Sequence, residues 1–148
     1  VMFREQTPDI ALNFLVEINE NSRNLVIEAR NNGSAFAQYV AVFLDVPVQI
    51  LAAAENKMNL KDGGRFYRHR LTNLNQEYAD EQFKSNFPLL RSMTMHWKIP
   101  LKDDIAAVLE DNFPLKWKIY ADNALPKEGK LFLKEIEVVD LRKKGFKT

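Results

Sequence analysis

Ala29-Arg30-Asn31-Asn32-Gly33-Ser34-Ala35-Phe36-Ala37, followed by Gln38-Tyr39-Val40-Ala41-Val42-Phe43-Leu44-Asp45-Val46-Pro47, is the stretch that decides the fold. It reads as the end of one strand, an Asn-Gly corner and a second strand. Upstream, Leu25, Ile27 and Ala29 alternate with Val26, Glu28 and Arg30. Apolar residues at every second position lie on one face of an extended chain, so this pattern predicts a half-buried strand. Residues 38–46 are apolar on both faces, as a central strand would be, and Pro47 ends the run because it has no N–H for the ladder. Gly33 is expected to take a positive φ at the corner.

The same alternation recurs on both sides of this unit. Ile10, Leu12, Phe14 and Val16 share one face of a first strand, which the polar loop Asn19-Glu20-Asn21-Ser22-Arg23 joins to the second as a hairpin. Asp62-Gly63-Gly64 is a tight-turn signal leading into Arg65-Phe66-Tyr67-Arg68-His69-Arg70-Leu71. There Phe66, Arg68 and Arg70 fall on one face, and Tyr67, His69 and Leu71 on the other. Met93, Met95, Trp97, Ile99 and Leu101 give the cleanest period of two, and Leu115, Trp117, Ile119 and Ala121 give another. In the last run, residues 130–140, the phase slips between Leu133 and Ile136, predicting a bulge or a change of sheet partner near Lys134-Glu135.

Between these strands, residues 51–58 read as a connection with a helical turn. Residues 73–88 read as a long polar loop pinned by Tyr78, Phe83 and Phe87. Ile105, Val108 and Leu109 recur at helical spacing behind the capping residues Asp103 and Asp104, which predicts one helix of about two turns. The expected architecture is therefore an all-β, immunoglobulin-like antiparallel β-sandwich of about seven or eight strands with one short helix. Ile27, Val42, Trp97 and Trp117 are expected in its core.

A chain of 148 residues with 46% hydrophobic residues fits one domain, 1–148, able to bury a core without staples. Its first residue is Val, with no signal-peptide pattern behind it, so the expectation is a domain excised from a longer protein. Zero cysteines exclude thiol nucleophiles, thiolate metal sites and disulfides together, consistent with a reducing, cytoplasmic location. The longest apolar run, Val46–Ala54, is interrupted by Pro47 and Gln49 and is far too short for a membrane span. The 21 basic and 20 acidic residues give a net charge of +1, so no global field draws the chain to nucleic acid or an anionic membrane.

Catalytic signals are weak. His69 and His96 are the only imidazoles, and neither has a carboxylate or second histidine at ligand spacing in sequence, which argues against zinc and against acid–base catalysis. Asp80-Glu81, Asp103-Asp104 and Glu110-Asp111 lack the alternating ligands and central Gly of a calcium loop. Asn32-Gly33-Ser34 fits a glycosylation acceptor but is already explained as turn chemistry. No glycine-rich loop precedes a helix. Catalytic, cofactor and metal residues are accordingly expected to be absent.

The surface with the composition of an interaction site is the face of Phe66, Arg68 and Arg70, an aromatic flanked by two cations. Lys98, Lys116 and Lys118 would extend it if their strands neighbour it. Solvated strand surface is the plainer explanation of the same residues.

The strand, Asn-Asn-Gly-Ser-Ala-Phe-Ala corner and strand of residues 25–46 resemble bacterial immunoglobulin-like sandwiches, including the adhesion-related CARDB modules. Phe87-Pro88, Ile99-Pro100-Leu101 and above all residues 117–124, Trp-Lys-Ile-Tyr-Ala-Asp-Asn-Ala, resemble the C-terminal sandwich of bacterial proteins carrying a Schlafen-like AlbA DNA-binding module. That resemblance implies a non-catalytic accessory domain with no family catalytic residues to inherit, any enzymatic or nucleic-acid chemistry lying in another module. The near-zero net charge separately favours a protein partner, its own polypeptide or its own copy over nucleic acid. A small-ligand-binding sandwich and a carboxylate-dependent hydrolase remain the alternatives.

Overall fold

The computed structural model describes residues 7–52, 57–73, 88–104 and 114–144. Nine strands follow in order: β1 Ile10–Ile18, β2 Arg23–Asn31, β3 Val40–Pro47, β4 Leu60–Lys61, β5 Phe66–Thr72, β6 Thr94–Pro100, β7 Leu115–Ala121, β8 Lys127–Leu131 and β9 Glu137–Asp140. They form a four-stranded sheet in the order β6-β2-β1-β9 and a five-stranded sheet in the order β4-β5-β3-β7-β8. The protein is an all-β sandwich.

Two differences explain why nine strands stand where seven or eight are expected. The two-residue β4 pairs with β5 across a turn in which Asp62, Gly63 and Gly64 take φ of 53°, 67° and 86°. The last apolar run is also two strands, and the phase slip marks their junction. A single 3₁₀ turn at Leu133–Glu135 carries the chain from β8, antiparallel to β7, to β9 in the other sheet. There β9 runs parallel to β1, with Leu15 opposite Glu137 and Ile18 opposite Asp140, so the sandwich is not wholly antiparallel. The predicted helix near 105–109 and the anchors Tyr78, Phe83 and Phe87 lie outside the described residues.

The inner faces supply the core. Ile10, Phe14, Val16 and Ile18 of β1, Leu25, Ile27 and Ala29 of β2, and Met95, Trp97 and Ile99 of β6 meet Val40, Val42, Leu44 and Val46 of β3 and Leu115 and Ile119 of β7. Burying each large aliphatic side chain contributes roughly 1.5–3 kcal/mol. Trp97 is fully buried, and its indole N–H donates to the Thr72 carbonyl at 3.3 Å, satisfying the one polar atom that its burial removes from water. Ile27 and Val42 are likewise core, whereas Trp117 is only half-buried.

The corner after β2 is built differently from the expectation. Gly33 does not have a positive φ. Its lack of a side chain is needed for close approach instead: a Cβ there would lie 2.4 Å from both the Asp9 nitrogen and the Thr7 carbonyl oxygen. The conformation is organised by Asn31, whose side chain is buried. Its Oδ1 accepts from the N–H of Gly33 at 2.9 Å and of Asp9 at 3.2 Å, and its Nδ2 donates to the carbonyls of Ala35 at 2.8 Å and Leu89 at 3.1 Å. One side chain thus supplies the backbone partners that the chain loses on leaving β2. Asn73 acts similarly at the start of β3, accepting from the Val40 N–H at 3.0 Å and donating to the Gln38 carbonyl at 2.8 Å.

Candidate functional site

The outer face of the five-stranded sheet is ordered by its register into rows. One row is Arg68, Asp45, Lys116 and Lys130; the next is Arg70, Phe43, Lys118 and Glu128. Tyr120 lies beyond, opposite Ala41. Strands β5, β3, β7 and β8 thereby collect five cations against two carboxylates on one face of a molecule that is nearly neutral as a whole. An open groove of about 640 Å³ runs through these rows, lined by Phe43, Asp45, Arg68, Lys116, Lys118, Tyr120 and the β8 residues Glu128 to Lys130.

The charges in this groove are unequally matched. Arg68 grips Asp45 in a bidentate pair, Nε to Oδ1 at 2.7 Å and Nη2 to Oδ2 at 2.9 Å. The Asp45 carboxylate raises the Arg68 pKa above its ordinary value, outweighing the opposing effect of partial burial. Arg70 donates from Nη2 to the Tyr39 hydroxyl at 3.0 Å. Lys116 stands with its Nζ 4.7 Å from the centroid of Phe66, and Lys118 with its Nζ 5.3 Å from that of Tyr120. Tyr120 and the nearby Glu128 raise the Lys118 ammonium above the usual lysine range, Tyr120 having the larger effect. Phe43 and Tyr120 meet edge to face at 5.7 Å, and Tyr120 remains 36% exposed.

Of the three residues singled out in the sequence, Arg68 and Arg70 lie exposed on this face, while Phe66 shares the face but is only 3% exposed. Alternation places Phe66 outward; the Lys116 side chain, brought over from β7, covers it. Phe66 is therefore a platform for a cation rather than an open anchor. Lys116 and Lys118 do extend the patch. Lys98 does not, since it belongs to β6 in the other sheet and bonds Glu17 at 3.3 Å.

Phe43, Tyr120, Glu128 and Lys130 join the site without having been singled out, because their neighbours are set by strand order. Trp117 also reaches the groove. It sits opposite Gly129 of β8, where a Cβ would come within 2.5 Å of the indole ring, so the glycine makes room for the half-buried tryptophan.

The two histidines separate. His69 points inward from β5, is 4% exposed and packs against Tyr67 with ring centroids 4.8 Å apart. Burial pushes its pKa down to about 4, and the Leu44 carbonyl and the Asp45 charge recover only part of that drop. His96 is not without a carboxylate. Register places Glu28 directly across from it, with His96 Nε2 2.9 Å from Glu28 Oε2, while Asn13 donates to the other Glu28 oxygen at 2.8 Å. This row of polar partners crosses the outer face of the four-stranded sheet. Among the described residues no group of three or more His, Cys, Asp or Glu is placed to hold a metal ion, and no helix is long and apolar enough to cross a membrane.

No protein-family model and no curated protein sequence matches the chain. Among solved structures it is similar to the ligand binding region of Serine-glutamate repeat protein A (SgrA) of Enterococcus faecium, with a TM-score of 0.44 and 9% identity over 88% of this chain and 97% of that one. So loose a likeness carries no argument about what this chain binds. The resemblances to CARDB modules and to Schlafen-like AlbA proteins gain no support from a family match.

Proposed function

We propose that the chain is a non-catalytic, immunoglobulin-like interaction domain that binds protein through the outer face of its five-stranded sheet, around Arg68, Arg70 and Tyr120. The carrying observation is the contrast between the two outer faces. On the four-stranded sheet, Glu28 pairs with His96 and Asn13, and Glu17 pairs with Lys98. On the five-stranded sheet, Lys116, Lys118 and Lys130 gather around a groove with aromatic rings in its floor, and none forms an ion pair among the described residues. Arg68, Arg70 and the exposed Tyr120 ring supply the arginine and aromatic surface enriched in protein interfaces, and the lysines beside them add positive charge.

Binding is favoured over hydrolysis because Asp45 commits both carboxylate oxygens to Arg68, which leaves it unsuited to proton transfer or nucleophilic attack. Extended protein is favoured over a small molecule because the groove lies open on a sheet face, where it would enclose little of a small ligand's surface.

Photo-cross-linking tests this reading. With p-benzoylphenylalanine in place of Tyr120, cells that make the protein should yield protein adducts; the same group in place of Arg30, on the opposite sheet, should not. Equal adducts from both positions, no adduct from position 120, or adducts that nuclease removes would refute it.

A further inference from the structure

We infer that the groove receives an extended acidic peptide whose alternate carboxylates seat on Lys116, Lys118 and Lys130, an inference that rests on reading this face as a protein-binding surface. Lys116 and Lys130 are directly opposite one another across the β7–β8 ladder, on the same face. Like charges in that position repel and weaken the pair. The acid that could relieve Lys116, its other cross-strand neighbour Asp45, is held at two points by Arg68. Glu128 faces Lys118 and is the only other carboxylate lining the groove among the described residues. Three ammonium groups thus share one acid, an arrangement that costs the isolated fold and is relieved by an anionic occupant.

The spacing selects the form of that occupant. Lys116 and Lys118, two residues apart on one strand, are separated by roughly 6.6 Å along it, the same repeat as alternate side chains of any extended chain. Lys130 stands about 5 Å to the side, across the ladder. A peptide with acids at alternate positions matches this lattice, and β8, the last strand of its sheet, lets an extended chain approach from the open side. Phe43 and Tyr120 supply a surface on which an intervening aromatic or aliphatic side chain can pack. Single-stranded nucleic acid fits less well. Tyr120 is the one large hydrophobic side chain of the groove that is exposed, which leaves few platforms for stacked bases, and the balance of 21 basic to 20 acidic residues leaves little further counterion release.

The test is fluorescence anisotropy at low salt, using fluorescein-labelled decapeptides of alternating Glu and Tyr, or alternating Gln and Tyr, and a labelled ten-nucleotide oligo-dT. Thermal melts of the parent and of Lys130→Glu accompany it. The Glu-Tyr peptide should bind at least about tenfold more tightly than either comparator, and Lys130→Glu should weaken it by about tenfold or more. The variant should melt no lower than the parent, because it replaces a repulsive pair with an attractive one. Oligo-dT or the Gln-Tyr peptide binding as well as the Glu-Tyr peptide, or Lys130→Glu binding like the parent, would overturn the inference; so would a lower melting temperature in the variant. Protein adducts from position 120 without Glu-Tyr binding would leave the interaction surface standing and remove its acidic occupant, while failure of both would remove the surface as well.

Discussion

Replacing His69 with glutamine should flatten one part of the pH dependence of stability. His69 is buried on the inner face of β5, and its pKa is pushed down from 6.5 to about 4, chiefly because the interior disfavours the imidazolium. The unfolded chain therefore takes up this proton before the folded one does. Stability that depends on a neutral His69 is whole above about pH 6.5 and is lost progressively as pH falls toward 4. By pH 4.5 the loss reaches roughly 2–3 kcal/mol, and below the folded value it levels off at roughly 3–4 kcal/mol. In His69→Gln this contribution is absent at every pH, although the substitution itself costs some stability throughout. Urea unfolding followed by tryptophan fluorescence at pH 7.5, 6.0 and 4.5 would separate the two effects. Carboxylates titrate in both proteins, so the difference between the two curves isolates His69. The parent should lose roughly 2–3 kcal/mol more than the variant over this range. Parallel curves would refute the claim that burial keeps this imidazole neutral.

Two further substitutions probe the core and the corner. Trp97→Ala should cost about 3–5 kcal/mol in urea or thermal unfolding, through lost burial and the cavity left between the sheets, and a variant that melts like the parent would place Trp97 outside the core. Gly33→Ala should cost about 1–3 kcal/mol because its Cβ would meet backbone atoms of Thr7 and Asp9 rather than a flexible side chain, and an unchanged melting temperature would show that this segment steps aside freely.

What could be read from the sequence was what depends on neighbours along the chain. The alternation of Met95, Trp97 and Ile99 identifies a buried strand face, and the slip between Leu133 and Ile136 marks the place of a break, where bulge and change of sheet partner are equally legible and the fold takes the second. What depends on pairing between distant strands was hidden. Phe66 belongs to the predicted face, yet whether it is open depends on Lys116, fifty residues later and two strands away. His96 was short of a carboxylate only along the chain, for Glu28 meets it across the ladder. The groove itself is assembled from four strands, and Lys130 and Glu128 enter it only through the β7–β8 register, which no pattern along the chain encodes. At Gly33 the residue type was informative but the reason was different, since only the fold brings Thr7 and Asp9 against it.

The parallel contact between β1 and β9 has a mechanical consequence. Because the two strands point the same way, the chain enters near Ile10 and leaves near the far end of β1, about 25 Å away. Tension applied through these two points pulls β1 and β9 past each other along their length. The hydrogen bonds between Leu15–Ile18 and Glu137–Asp140 then carry the load together instead of opening one after another, as they would if the strands were peeled apart. The weakest-looking pairing of the four-stranded sheet, only four residues long, is therefore the one oriented to resist stretching.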